Sequence, residues 1–237
     1  MTTPSLIMRI TESRRQPTAA DVELRYLRLA AVEGQAAPNF DFIPGQVLVV
    51  SCGGGKPGYF AIASAPGEGP YFDLLLRRGQ GTSAALCDLK VGAEVQVAGP
   101  QGKGFPLEPH RGKNLLLIGV GTGIAPLRSV IRAAAKERSR YGRVMCFYGA
   151  LTPQHVCFHD EIRTWPEWGV ETFLTVTDPS GQPWQNHVGF VQQNVGRISP
   201  SPKETVAMLV GMPEMVQANT ELLRRLGFLP DAILLNY

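Results

Sequence analysis

A continuous apolar run, residues 115–120 (LLLIGV), passes straight into Gly121-Thr122-Gly123 and then Ile124-Ala125-Pro126. A strand without polar alternation needs cover on both faces, as the central strand of a parallel sheet has. Pro126 fits the first turn of a helix, where its missing N–H would have no partner anyway. The stretch therefore reads as strand, tight turn, helix. Glycines let a backbone approach a ligand closely. A helix N-terminus adds free N–H groups and a positive dipole end, a ready site for a phosphate. The spacing departs from the GxGxxG dinucleotide fingerprint, because the third glycine is missing. On this stretch alone, a ligand-free tight turn stands beside the phosphate site.

The rhythm on either side of this stretch differs. VELRYLRLA, GQVLVVSC, YFDLLLRR and AEVQVAG exchange polar and apolar residues, as half-buried strands do, with turn signals between them and one short helical segment, TSAALCDL. Many short strands with one helix suggest an antiparallel barrel. After residue 112, apolar strands and helical patterns alternate: KNLLLIGV, APLRSVIRAAAKERSR, RVMCFYGA, CFHDEIRTW, VETFLTVTD, TVAMLVGM, PEMVQANTELLRRLG and AILLNY. That order implies a doubly wound parallel sheet. The expected architecture is thus two domains, a β-barrel over residues 1–111 and an α/β domain over residues 112–237.

Composition narrows the function. The net charge of +3 is far from the dense basic stripe of a nucleic-acid binder. The basic runs at 14–15, 77–78, 136–143 and 224–225 read as solvated faces, or as one contact with a phosphate or an acidic partner. Cys52, Cys87, Cys146 and Cys157 are too irregularly spaced for a zinc or iron–sulfur site, so no metal is expected. Cys87 and Cys146 lie among apolar residues and read as buried thiols. No apolar run is long enough to span a membrane, and the N-terminal segment lacks a secretory pattern. A cytoplasmic protein is expected.

Several further short motifs follow one another in order. They are PGQ at 44–46, YFAIAS at 59–64, GTS at 81–83, GPQGKGF at 99–105, GTGIAP at 121–126, FYGA at 147–150, DEI at 160–162, VGMPEMV at 210–216 and the aromatic Tyr237. This order resembles the ferredoxin–NADP reductase superfamily of flavoproteins over about residues 20–237. Within it, the chain looks closer to the NAD(P)H reductases and electron-transfer subunits than to the plant ferredoxin reductases. The resemblance implies a flavin-binding barrel carrying FAD and a nicotinamide-dinucleotide domain taking NADH or NADPH. It also implies hydride transfer from nicotinamide to flavin, with electrons passed on to an acceptor.

The family's flavin motif begins with Arg-x-Tyr-Ser/Thr. Here Gly58 takes the Arg position, Phe60 the Tyr position and Ala61 the Ser/Thr position near the reacting flavin atom. The resemblance sets Phe60 against the flavin and offers the backbone of Ala61, Ile62 and Ala63, with Ser64, to its ring and ribityl chain. Arg77, or its neighbour Arg78, would replace the missing pyrophosphate charge. Gly81, Thr82 and Ser83 open a short helix toward the same group; plain capping is the alternative for both hydroxyls. In the second domain, Gly121, Thr122, Gly123 and Pro126 form the implied pyrophosphate turn. Val210 replaces a Cys that relatives place near the nicotinamide, and Gly211, Met212 and Pro213 form the loop beneath it. Tyr237 resembles the terminal aromatic that stacks on the flavin in plant-type relatives. Asp178 stands where NADPH-preferring relatives carry Ser-Arg; a carboxylate there favours NADH, and a simple turn residue is the alternative.

Three functions follow. The first is an FAD-dependent NAD(P)H oxidoreductase feeding an unidentified acceptor, with an acidic electron-transfer protein among the candidates. The second is an electron-transfer subunit of a larger redox complex, which would be expected to bring a C-terminal cysteine cluster; none precedes Tyr237. The third is a dinucleotide-binding sensor that has lost flavin, kept open by Gly58, Phe60 and Ala61.

Overall fold

The computed structural model describes residues 5–16 and 22–236. Six strands precede residue 102: β1 (Leu6–Arg15), β2 (Leu24–Ala31), β3 (Val47–Ser51), β4 (Gly58–Ala61), β5 (Tyr71–Arg77) and β6 (Glu94–Gln101), with helix α1 (Thr82–Asp88) between the last two. They pair antiparallel in the order β4-β3-β6-β1-β2-β5. A bridge between Ile62 and Leu74 joins the two edges and closes the sheet into a barrel. Closure removes exposed strand edges. Alternation sorts the side chains. Leu27, Leu29, Phe72, Leu74 and Leu76 point into the barrel core, while Tyr26, Asp73 and Leu75 point the other way.

The second half holds β7 (Asn114–Val120), α2 (Ile124–Lys136), β8 (Val144–Ala150), α3 (His159–Ile162), β9 (Val170–Val176), β10 (His187–Val188), α4 (Val191–Ile198), β11 (Thr205–Val210), α5 (Pro213–Arg225) and β12 (Ile233–Leu235). The strands are parallel in the order β10-β9-β8-β7-β11-β12. The apolar run in β7 is explained by its place at the centre. Leu115 and Leu117 meet α2 on one face, and Leu116 and Ile118 meet the α4–α5 side on the other. The chain thus has the expected class, an antiparallel barrel followed by a doubly wound α/β domain.

The sequence pattern expects a longer helix at CFHDEIRTW. The structure gives one turn, α3, then a short 3-10 turn at Trp165–Trp168. Phe158 enters with left-handed φ of 53°, Pro166 removes a helical donor and Gly169 exits at φ 74°.

What joins the two halves is helix α2. Its residues 128, 129, 132 and 136 all bond to the barrel segment just after β4. Arg128 donates to Ala63 O at 2.7 Å and to Asp73 at 3.3 Å, and it also meets Glu161. Ser129 donates its hydroxyl to Ser64 O at 2.6 Å, Arg132 pairs with Glu68 at 2.6 Å, and Lys136 donates to Pro66 O at 2.6 Å. Asp73 is fully buried and also takes two bonds from Arg28, at 2.7 and 3.1 Å, which raise the pKa of Arg28. Apolar packing runs on through Tyr26, Ala63 and Phe105 into the α2 core.

Breaking a buried pair strands the remaining charge and its hydrogen-bonding partners. Arg128→Met is therefore expected to cost about 3 kcal/mol in urea unfolding. Arg9→Ala, which breaks only the exposed pair with Glu94, is expected to cost under about 1 kcal/mol. Equal costs for the two would contradict a load carried at Arg128.

Candidate functional site

The turn that opens α2 is built from residues that leave no room for side chains. Val120 is extended, Gly121 takes φ of 56° and a 3-10 turn covers Gly121–Gly123. A Cβ on Gly123 would stand 2.7 Å from Val210 O, and one on Gly119 would stand 2.7 Å from the Leu127 side chain. Gly211 (φ 153°) is as tight, since a Cβ there would meet Met215 at 2.6 Å and Val120 at 2.8 Å. The ends of β7 and β11 thus touch backbone to backbone, and their carboxyl ends face one cleft, where open α/β sheets bind ligands.

That cleft is a cavity of about 720 Å³ shared by both halves. The nucleotide-domain wall includes Gly121, Thr122, Gly123, Pro126, Val210, Gly211 and Met212. The barrel wall is Val22, Leu24, Ala61 and Arg77. Of the two neighbouring arginines, Arg78 is held by Glu23 at 2.6 Å and by Asp88. Arg77, at the end of β5, is exposed on the cavity wall. On the barrel wall, small and aliphatic groups beside the exposed Arg77 suit a flat, anionic dinucleotide. On that chemistry the barrel wall fits FAD, and Arg77 is the residue there that would hold its phosphates.

The remaining sequence-selected residues that the structure describes do not line this cavity. Phe60 packs against the barrel core, its ring within 2.7 Å of where a Gly58 Cβ would stand. The amide of Ile62 donates to Gln46 O and that of Ala63 to Asp73 O, so both are already engaged within the protein. Ser64 is buried and its hydroxyl accepts from the Asp73 amide at 3.1 Å. Ala63 and Ser64 thus form the joint between barrel and α2, while Ile62 packs in the barrel core. Gly81 caps α1 at φ 61°. Thr82 donates its hydroxyl to Lys56 O, while Ser83 accepts from the Gly79 amide at 3.1 Å and donates to Gln80 O. Ser83 closes a local turn and Thr82 ties α1 to the loop before β4, and neither caps the helix. Pro213 begins α5. Asp178 follows β9 and folds back in a turn, accepting from the Ser180 amide at 2.7 Å and the Ser180 hydroxyl at 3.2 Å. Tyr237 lies outside the described residues. The four cysteines are free thiols, with Cys87 and Cys146 buried. Burial pushes Cys157 up to about 11 and Cys146 up to about 12, which keeps both protonated and unreactive.

Among the contributors that sequence reasoning does not select, Arg128 and Phe190 stand out. Arg128 sits inside a helix that reads as an ordinary amphipathic one, although an arginine between Leu127 and Val130 on the buried side was a signal. Phe190, exposed and ahead of α4, also lines the cavity.

Residues 117–221 match the oxidoreductase NAD-binding domain family. The chain is 31% identical over 204 residues to the sulfhydrogenase 1 subunit gamma of Pyrococcus furiosus, covering 84% of this chain and 69% of that one. It is 29% identical over 208 residues to NADH-cytochrome b5 reductase 1 of Dictyostelium discoideum, covering 81% and 71%. Among solved structures, the ferredoxin NADP+ reductase of Neisseria gonorrhoeae with bound FAD and NADP superposes with a TM-score of 0.81 at 18% identity, covering 97% of this chain and 96% of that one. The ferredoxin reductase of carbazole 1,9a-dioxygenase superposes at 0.84 with 24% identity, covering 98% and 69%. Fold and cleft define a two-domain NAD(P)H- and FAD-dependent oxidoreductase. The chain belongs to the ferredoxin–NADP reductase superfamily.

Since a side chain at 123 has no space, Gly123→Ala is expected to push β11 away from the turn. NADH should then bind roughly tenfold more weakly, a loss of about 1.4 kcal/mol, with flavin content unchanged. Unaltered NADH affinity by titration calorimetry would show that this turn does not hold the nucleotide.

Proposed function

We propose that the protein oxidises NADH and delivers the electrons to a separate redox protein. The observation that carries this reading is one cavity with Ala61 and Arg77 on its barrel wall and the Gly121–Gly123 turn and Val210 on the other. Bound FAD supplies a hydride acceptor that releases electrons onward. The chain's own residues orient and shield. The Gly121–Gly123 turn offers backbone N–H groups to the nucleotide pyrophosphate. Gly211 and Met212 form the floor beneath the nicotinamide, and Ala61 and Val210 leave the reacting faces free of bulk. Neither carries a proton-bearing group, so proton delivery falls to solvent or the acceptor. Arg77 balances the flavin's phosphates.

Asp178 supports NADH over NADPH, because its carboxylate would repel a 2′-phosphate at the end of β9. Four free cysteines suit a reducing compartment, which supports the cytoplasm. Among the described residues, no helix is long and apolar enough to cross a membrane. The likeness to a hydrogenase gamma subunit favours a second arrangement, in which the acceptor is another subunit of a stable complex.

The test is ferricyanide reduction by the FAD-loaded protein with each nucleotide. Wild type is expected to prefer NADH. Asp178→Ser should raise the NADPH/NADH ratio of kcat/KM roughly fivefold, the worth of about 1 kcal/mol of exposed repulsion. No turnover with either nucleotide would overturn the reading, and an unchanged ratio would remove Asp178 from the preference.

A further inference from the structure

Tyr148 ends its long, apolar strand with a polar atom where none is needed for packing. It lies near the C-terminal end of β8 and is almost entirely buried. Its hydroxyl is fully used. It donates to Gly121 O at 3.0 Å and accepts from the Cys157 amide at 3.2 Å. Burial holds the phenol well above its ordinary pKa, so it stays neutral and can donate. Gly121 O is therefore gripped from inside by the tyrosine as well as by the Ile124 amide of the 3-10 turn.

This grip has a geometric consequence. In a trans peptide the carbonyl and the following N–H point in opposite directions. With Gly121 O drawn inward to Tyr148, the N–H of Thr122 points outward, and Thr122 lines the cavity. Gly121 itself takes a left-handed φ of 56°, which glycine adopts without strain. The Ile124 amide bonds Gly121 O from within the turn, and Tyr148 adds a second, side-chain bond that holds the same orientation. The second bond of Tyr148, from the Cys157 amide, ties that orientation to the segment ahead of α3.

We propose that Tyr148 is a positioning residue for nucleotide binding: its hydroxyl fixes the Gly121–Thr122 peptide so that the Thr122 N–H meets the pyrophosphate of NAD(P)H. It rests on the reading of the glycine turn as the nucleotide site. Tyr148 itself touches neither nucleotide nor flavin. Removing its hydroxyl should loosen this peptide and weaken ligands that carry a pyrophosphate, while leaving the chemical step intact.

The experiment compares ADP-ribose binding to wild type and Tyr148→Phe by titration calorimetry, a readout that needs no flavin turnover. Wild type is expected to bind. Tyr148→Phe should bind roughly fivefold more weakly, the worth of one hydrogen bond, and should raise the KM for NADH with kcat unchanged. Failure of wild type to bind ADP-ribose would sink the nucleotide-site reading itself. Equal binding by the two proteins would overturn the role of Tyr148 alone, as would a fall in kcat at unchanged KM. A second measurement covers a variant that fails to fold. In the amide NMR spectrum of the ¹⁵N-labelled wild-type protein, the Thr122 resonance should move on adding ADP-ribose; a Thr122 amide that does not respond would contradict the proposal.

Discussion

The buried contact of Arg128 with Asp73 and Ala63 O is the constraint on which the rest of the molecule depends. Two charges out of water survive only with close geometry and saturated hydrogen bonding. Here the guanidinium reaches Asp73, Ala63 O and Glu161, while Arg28 supplies the other half of the Asp73 carboxylate's needs. Arg128 comes from α2, and its partners Asp73 and Ala63 O come from β5 and the segment after β4. These are the same elements that carry the two halves of the cleft. Helix α2 begins at the glycine turn, and the segment it grips begins at Ala63, two residues after Ala61.

This coupling gives the cavity its shape. A hydride moves only between atoms held at near contact, so donor and acceptor sites on different domains need a fixed relative position. Arg128, Ser129, Arg132 and Lys136 fix it along about two turns of helix, and the shared apolar core through Tyr26 and Phe105 stiffens it. The nucleotide side adds its own precision through backbone contact, since Gly119, Gly123 and Gly211 let β7 and β11 close on each other. The barrel side is looser in chemistry. Gly58, Phe60 and Ala61 supply neither charge nor hydroxyl, and Arg77 is the cation left on that wall.

Local pattern carried much of this fold. The uninterrupted apolar β7 marked the centre of a parallel sheet, and alternation marked β2, β3, β5 and β6. Strand β1 escaped notice because most of its residues are only half-buried or exposed, which blurs its alternation. Strand β4 is four residues long and begins at a glycine, β10 has two residues, and the polar α4 shows too little apolar stripe to stand out. The site was legible where one segment builds it, as at Gly121–Gly123, Gly211 and Met212. It was illegible where distant segments must meet. Whether Arg77 or Arg78 faces the cavity is decided by Glu23 and Asp88. The hydroxyls of Ser64, Thr82 and Ser83 look available in sequence, yet each finds a partner within the fold. The place of Arg128 on the buried side of α2 is a local mark, but its partners are not legible there, because they lie 55 and 65 residues away.

The most direct measurement is anaerobic mixing of the FAD-loaded protein with one equivalent of NADH deuterated at the transferred C4 position, against unlabelled NADH. The account expects the two flavin absorption bands to bleach in a single phase, more slowly with the deuterated nucleotide. Bands that persist, although NADH binds, would mean that the cleft does not bring nicotinamide and flavin together.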